Sequence, residues 1–185
     1  SDELVSTFHN ETLRALRQRL SGLNSTGLFH SVGTTIRQLL SPGRATVILL
    51  GRLPESYRNA VVSLLTRLVM AERSEAAFAE KRLELDPELT RDTRNELESM
   101  LQKSIPRTVV FLDEAQTFLA PGSSSGARDL FTRLVKEGRN MGLSAVIATQ
   151  QPSAIDSRIL SQVETFIAHQ LVTETDIRAV RDNLK

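Results

Sequence analysis

The chain has 185 residues, 40% of them hydrophobic, with a net charge of +1 and no cysteine. That length and apolar content suffice for one α/β domain with a buried core. The near-zero charge excludes a bulk electrostatic footprint for nucleic acid, and the missing cysteines exclude disulfides. Because no apolar run approaches the roughly 18 residues of a membrane span and no signal-peptide pattern is present, we expect a soluble, cytoplasmic protein without a membrane partner.

Hydrophobic periodicity predicts helix, strand, helix and helix for the first half of the chain. Apolar residues recur at helical spacing over residues 3–20, and the polar run 24–27 interrupts that pattern. The β-branched and apolar run 46–50 predicts a strand, and a helix follows. We therefore divide this half into a helical lead-in (1–44) and a strand-helix unit (45–72).

Residues 73–104 are dense in charge and in alanine, leucine and glutamate. Such runs are usually solvated faces, so we predict a charged helical insertion of two helices. Asp86-Pro87-Glu88 marks the predicted start of its second helix, because proline suits the first turn of a helix. A binding arm is the alternative interpretation of this segment.

The most informative run lies in the last part of the chain, 105–185, where the apolar residues 109–112 precede Asp113 and Glu114. This pattern predicts a buried parallel strand, and functional groups collect at the carboxyl ends of such strands. In P-loop ATPases, the first acid holds the water shell of Mg²⁺ and the second polarises the attacking water. A strand that ends in a solvated Asp-Glu turn is the alternative.

A second strand is predicted at 143–149, and it ends at Gln150. A polar residue at that position can contact both a γ-phosphate and the attacking water. Between the strands, apolar residues at i, i+3, i+4, i+7 and i+8 from Ala127 predict a helix that Gly138 stops. Arg139 follows at once and suits a guanidinium finger for a phosphate. A cation that compensates the helix dipole is the commoner role of such an arginine.

Several of these segments resemble motifs of the HerA/FtsK superfamily of hexameric DNA translocases and helicases, and the HerA type is the nearest pattern. The resemblance extends from about residue 20 to the carboxyl terminus. The segments that carry it are Gly138-Arg139-Asn140-Met141-Gly142-Leu143, Ala148-Thr149-Gln150-Gln151-Pro152-Ser153, the strand and helix after Thr46, and the last core strand and helix at 159–167 and 175–177.

The resemblance implies an α/β fold with an incomplete RecA-like P-loop NTPase core, in which a mostly parallel sheet is flanked by helices. It implies that Asp113 and Glu114 are the Walker B acids, with Mg²⁺ held by Asp113 through water. Gln150 would be the polar sensor, and Asp113, Glu114 and Gln150 would face ATP. Arg139 would be an arginine finger offered to the next subunit.

The resemblance also implies partners. These are double-stranded DNA, further copies of the chain in a homo-oligomeric ring, expected to be a hexamer, and a nuclease of the NurA type or another effector. A ring ATPase of conjugation or defence is an alternative member of the same superfamily. A non-catalytic oligomerisation or binding module with the same fold is an alternative of a different class.

The sequence departs from the family pattern at four places. Gln116 stands where His is common, Gln151 replaces a frequent Arg, and the strand at 46–50 lacks an acid. The fourth departure is the absence of a G-x-x-x-x-G-K-[ST] loop, which cradles phosphates. We therefore expect that this loop lies upstream of residue 1, that the sheet is interrupted or completed by another chain, and that the isolated chain does not bind Mg-ATP.

One further motif suggests a hydrolase. The segment Gly122–Gly126 matches G-x-S-x-G, and Asp156 and His169 follow in the order found in α/β-hydrolases. A nucleophile elbow requires a strand that runs directly into the motif, whereas residues 117–121 separate it from the predicted strand. We interpret the match as accidental.

Overall fold

The computed structural model describes residues 10–24, 27, 32–122 and 126–184. The chain divides into two compact units, residues 1–35 and residues 36–185. The described residues are mainly helical and include a parallel sheet of two strands. In chain order the elements are α1 (Asn10–Asn24), α2 (Ile36–Leu39), α3 (Glu55–Leu85), α4 (Arg91–Lys103), β1 (Thr108–Leu112), α5 (Gln116–Leu119), α6 (Gly126–Glu137), a 3₁₀ turn (Gly138–Met141), β2 (Leu143–Ile147), a second 3₁₀ turn (Pro152–Ala154), α7 (Ser157–Leu160) and α8 (Glu174–Arg181).

The first unit contains α1, which ends at Asn24, where the sequence predicts the end of the opening helix. Residues 3–9 of that predicted helix, and Ser25 and Thr26 of the predicted break, lie outside the described residues. Leu16 and Leu20 belong to the predicted apolar face, yet each is about half exposed. The apolar spacing therefore predicts the helix correctly without predicting complete burial of its face.

In the second unit, α3 crosses the predicted boundary between residues 72 and 73. One face of the helix is buried from Val62 to Ala79, and it includes Arg73, which is 1% exposed. The predicted solvation of this part is wrong, because small alanines and the Arg73 stem continue the apolar stripe while the other charges occupy the outer face. Helix α4, by contrast, has no buried residue.

The predicted helix start at Asp86-Pro87 is also wrong, because α3 ends there. Asp86 has an extended backbone with φ −100° and ψ 99°, which is the conformation that a following proline imposes on its predecessor. The next helix begins after Thr90, whose hydroxyl accepts a hydrogen bond from the Thr93 amide at 3.3 Å. Proline thus stops one helix here, and a threonine cap starts the other.

Strands β1 and β2 are parallel and adjacent, with Thr108 opposite Leu143 and Leu112 opposite Ile147. Helix α6 connects them in sequence and packs with α3 against one face of the pair. This strand-helix-strand unit confirms the prediction for the central part of the chain. The described fold is compatible with a partial α/β P-loop NTPase core.

The two faces of the strand pair differ. Leu112 and Leu143 are buried in the core beneath the helices. On the other face, Val109, Phe111 and Val146 are 52%, 74% and 44% exposed, respectively. Parallel sheets normally bury both faces, so this apolar face corresponds to an incomplete sheet.

The other two predicted strands do not pair among the described residues. Residues 44–50 have no regular structure, and Val47 and Leu49 are 79% and 86% exposed. The predicted strand at 159–167 begins inside α7, because Asp156 caps that helix by accepting a hydrogen bond from the Arg158 amide at 2.9 Å. The strand predictions are therefore wrong for these segments, which lack a neighbouring strand, and the expected interruption of the sheet is observed.

The last helix, α8, confirms the helix predicted around residues 175–177. Thr173 caps it through a hydrogen bond from the Asp176 amide, and the Asp176 carboxylate accepts a hydrogen bond from the Ser153 amide at 2.9 Å. Within the described ranges, none of the helices has the length and apolar character that crossing a membrane requires.

Candidate functional site

The candidate site lies at the carboxyl ends of β1 and β2. Backbone pairing continues past both strands, because the Ala148 amide donates to the Leu112 carbonyl at 2.9 Å and the Ala115 amide donates to the Ala148 carbonyl at 3.0 Å. These bonds hold the two chain segments in register beyond the sheet. Glu114 and Gln150 consequently lie within reach of each other.

Glu114 has a left-handed backbone, with φ of +49°, and no other non-glycine residue in the described segments has a positive φ. This conformation costs an L-residue roughly 1–2 kcal/mol. The Glu114 amide donates to Oδ1 of Asp113 at 2.9 Å, which satisfies the donor that the turn exposes. Strained backbone of this kind clusters at functional sites, where the surrounding structure maintains it.

Each oxygen of the Glu114 carboxylate accepts a hydrogen bond from a glutamine amide. Gln150 donates to Oε1 at 2.8 Å, and Gln116 donates to Oε2 at 2.6 Å. The structure therefore brings together Asp113, Glu114 and Gln150, as the sequence predicts, and adds Gln116. The carboxylate is exposed, so it remains open to water and to a ligand.

Gln116 is in turn bound by a residue of the other strand end. The Thr149 hydroxyl donates to Oε1 of Gln116 at 2.6 Å and accepts a hydrogen bond from the Gln151 amide at 3.1 Å. From the sequence, Gln116 was only a departure from a family pattern, and Thr149 was part of a motif without a role of its own. The available signal was position: Gln116 lies two residues after Glu114, and Thr149 directly precedes Gln150.

Arg139 lies at the opposite end of the strands. It belongs to the 3₁₀ turn before β2, whose neighbour Gly142 accepts a hydrogen bond from the Thr108 amide at the start of β1. A five-residue strand at about 3.3 Å per residue separates the two ends by roughly 16 Å. The structure therefore does not bring Arg139 to Glu114 of the same chain.

The turn that carries Arg139 is anchored by Arg73. The Arg73 guanidinium donates to the carbonyls of Met141 at 2.7 Å and Ile105 at 3.1 Å, and it pairs with Glu80 at 3.0 Å. Glu80 also pairs with Arg107 at 3.1 Å. Burial raises the pKa of Glu80, but the hydrogen bonds from Arg73 and Arg107 outweigh it and hold the pKa below its ordinary value.

Asp156, the proposed acid of the hydrolase alternative, forms an ion pair. Its carboxylate accepts hydrogen bonds from Arg158, the shortest at 2.8 Å, and lies 3.8 Å from Arg128. The hydrogen bonds and charge of Arg158 lower the pKa of Asp156 from 3.8 to about 2.

Ser123, Ser124 and Ser125 of the motif lie outside the described residues. A nucleophile elbow needs a strand that runs directly into the motif, whereas among the described residues helix α5 separates β1 from it.

Asp113 fits a magnesium ion held through water. In the described part of the chain, no group of three or more His, Cys, Asp or Glu side chains is arranged to hold a metal directly. Mg²⁺ usually keeps several waters and uses one or two carboxylates together with substrate phosphates. A single exposed carboxylate at a strand end suits that mode, although these residues do not form a complete metal site.

No protein-family model matches the chain. It is similar to the DNA double-strand break repair helicase HerA of Pyrococcus furiosus, with 30% identity over 142 residues, which cover 74% of this chain and 26% of the relative. HerA of Sulfurisphaera tokodaii is 28% identical over 145 residues, 77% of this chain and 25% of the relative. The DNA translocase SpoIIIE of Bacillus subtilis is 33% identical over 90 residues, 48% of this chain and 11% of the relative.

The chain thus spans about a quarter of the length of these HerA relatives. Most of the chain is aligned in both HerA matches. Together with the SpoIIIE match, these alignments confirm the resemblance to the HerA/FtsK superfamily that the motifs of the chain predict.

Proposed function

We propose that this chain forms part of the ATP-hydrolysis site of a HerA-type DNA translocase or helicase. The observation that carries the proposal is the 2.8 Å hydrogen bond from Gln150 to Glu114, made where two adjacent parallel strands end. Open parallel sheets bind ligands at this edge. Homology to HerA and SpoIIIE supports an ATP-driven activity on DNA.

In the proposed reaction, Glu114 orients and polarises the water that attacks the γ-phosphate of ATP. Its carboxylate is suited to this role because amide donors fix both oxygens while the side chain stays exposed. Gln150 is the proposed polar sensor and contacts the same water. Asp113 holds the water shell of Mg²⁺, which neutralises charge on the phosphates when bound.

Arg139 acts in the site of a neighbouring subunit. Its distance from Glu114 within one chain, roughly 16 Å by strand length, supports action across a subunit boundary. We therefore propose a homo-oligomeric ring, a hexamer by resemblance, that moves on double-stranded DNA. A NurA-type nuclease or another effector is the proposed protein partner.

The central experiment compares the intact protein with its Glu114→Gln variant. Because the amide keeps the shape but loses the charge that polarises water, ATP should still bind while kcat falls by about two orders of magnitude. The matched control is Glu98→Gln on the exposed face of α4, which should keep wild-type turnover. Unchanged turnover in Glu114→Gln would make the acidic pair structural and refute the proposal.

The second candidate is a non-catalytic oligomerisation or binding module. A G-x-x-x-x-G-K-[ST] loop upstream of residue 1 in the parent sequence would favour the ATPase, and a parent sequence without that loop would favour the module. Titration calorimetry on residues 1–185 alone should show no Mg-ATP binding, since no Lys-bearing loop is present to hold the β- and γ-phosphates. Hydrolysis by the intact protein that falls by about two orders of magnitude in Glu114→Gln would exclude the module. A dissociation constant in the low micromolar range for residues 1–185 would instead refute the expectation that these residues lack a phosphate-binding loop.

A further inference from the structure

We propose that Gln116, oriented by Thr149, is a positioning residue that fixes the carboxylate of Glu114. This inference rests on the proposed function, because it assumes that Glu114 orients the attacking water. The contacts that carry it are the 2.6 Å bond from Gln116 to Glu114 and the 2.6 Å bond from Thr149 to Gln116. They connect the ends of β1 and β2 across 33 residues of sequence.

The Thr149 hydroxyl determines which way the Gln116 amide points. It accepts the Gln151 backbone N–H at 3.1 Å, so its own hydrogen is available to donate to Oε1 of Gln116. The NH₂ group of Gln116 then faces Glu114. The reversed amide would place its oxygen against a carboxylate oxygen, which repels it, so the arrangement has one favourable direction.

All three bonds of this series run toward Glu114. The Gln151 amide donates to Thr149, Thr149 donates to Gln116, and Gln116 donates to the carboxylate. Hydrogen bonds arranged in one direction polarise each other, and the ionised carboxylate at the end accepts without having to donate. The network thus orients the Glu114 carboxylate from the end of β2.

Glu114 needs this support because little else restrains its side chain. The residue is exposed, so packing does not fix it, and the last torsion of glutamate is broad. Gln150 alone holds only one carboxylate oxygen, which leaves the carboxylate plane free to rotate. Gln116 holds the second oxygen and thereby fixes that plane. A displacement of about 1 Å at a reacting group can lower a rate by roughly 100-fold.

The experiment measures steady-state ATP hydrolysis by the intact protein. Gln116→Leu removes the donor, and Gln116→Asn keeps an amide that is one methylene too short to bridge. Both variants should lower kcat by roughly tenfold to 100-fold while the KM for Mg-ATP stays within about twofold. If Gln116→Leu fails to fold, the kcat of Gln116→Asn tests the proposal in its place. Unchanged kcat, or a raised KM with unchanged kcat, would overturn the proposal.

Thr149 provides the readout that a merely structural role would not produce. Thr149→Val should lower kcat several-fold, Thr149→Ser should restore it, and adding Thr149→Val to Gln116→Leu should cause no further loss. The controls are Thr132→Val, whose hydroxyl bonds its own helix at 2.8 Å, and Gln162→Leu at an exposed position. The proposal would be overturned if Thr132→Val and Gln162→Leu lowered kcat as much as Thr149→Val and Gln116→Leu. It would also be overturned if the effects of Thr149→Val and Gln116→Leu on kcat were independent.

Glu114→Gln separates failure of this inference from failure of the proposed function. If Glu114→Gln lowers kcat by about two orders of magnitude while both Gln116 variants keep wild-type kcat, only the positioning role is refuted. If Glu114→Gln itself keeps wild-type turnover, the proposed function and the inference built on it both fail. In a Glu114→Gln background, Gln116→Leu should have no additional effect on kcat, and a further loss would refute action through Glu114.

Discussion

The two ends of the β1–β2 pair hold their candidate functional residues by different physical means. At the amino end, the turn that carries Arg139 is bound by Arg73, which is 1% exposed and donates to two backbone carbonyls. At the carboxyl end, Glu114 and Gln150 are exposed and are held by hydrogen bonds around a strained turn. A group that must meet water cannot be fixed by burial, so hydrogen bonds have to orient it.

The largest expected effect tests whether the amino end is functional as well as structural. Arg139→Ala in the intact protein should preserve folding and assembly but lower ATP hydrolysis by a factor on the order of a thousand. Arg139→Lys should restore activity only partly, since lysine lacks the planar fork of guanidinium. Arg133→Ala on α6, which removes an exposed ion pair with Glu137, is the control and should keep activity.

Subunit mixing then tests whether Arg139 acts across a boundary. In the proposed ring, mixing Arg139→Ala with Glu114→Gln subunits would create interfaces that pair an intact Glu114 with a neighbour's intact Arg139. Some hydrolysis should return, measured against each variant alone. If mixing restores nothing although subunits demonstrably exchange, or if Arg139→Ala unfolds the protein, Arg139 is a helix-terminal cation instead.

The next effect concerns the buried anchor at the amino end. Arg73→Met keeps the apolar stem but leaves the Met141 and Ile105 carbonyls without their donor. Removing one partner of a buried charged network costs about 3–5 kcal/mol, so thermal unfolding should occur at a clearly lower temperature. Arg82→Met is the control, because its pair with Asp86 is exposed and 3.7 Å long. Equal melting temperatures for the two variants would contradict the assigned anchor.

A smaller effect is expected at Gly142, directly beneath that anchor. Gly142 has φ of +68°, and a Cβ there would lie 2.8 Å from Cγ of Arg107 and 3.0 Å from a guanidinium nitrogen of Arg73. Gly142→Ala should therefore destabilise the fold by about 1–2 kcal/mol through backbone strain, with the clash in addition. Gly51→Ala, where a Cβ meets no atom within 4 Å, is the comparison for chemical denaturation.

The smallest effect concerns Asp156, whose backbone amide donates to the Leu119 carbonyl of α5 at 2.9 Å and whose carboxylate accepts a hydrogen bond from the Arg158 amide in α7 at 2.9 Å. Because Arg158 lowers the Asp156 pKa from 3.8 to about 2, this carboxylate stabilises the fold fully above pH 4. That contribution should be lost as the pH falls from about 4 through 2. In Arg158→Ala, acid unfolding should begin at higher pH, and an unchanged acid transition would contradict the ion pair.

Much of the candidate site was predictable because local patterns carry it. An apolar β-branched run followed by two acids marks the end of β1, and a second run marks the end of β2 beside Gln150. Parallel pairing then brings these ends together by topology alone. The helical period of α6 and the glycine that stops it are equally local signals. The role of Arg139 remains a prediction, because its distance from Glu114 within one chain is the only structural support for it.

The sequence by itself determined the two paired strands, the helix between them and the acidic pair, because each depends on the period or order of neighbouring residues. Tertiary structure alone decided the burial of Arg73, the bond between Gln116 and Thr149 and the unpaired state of residues 44–50. Those features depend on groups far apart in the chain, such as Arg73 and Met141, which are separated by 68 positions. From composition alone, a charged residue is expected to be solvated. A residue such as Arg73 can be buried only where packing places carbonyls that accept hydrogen bonds from its donors.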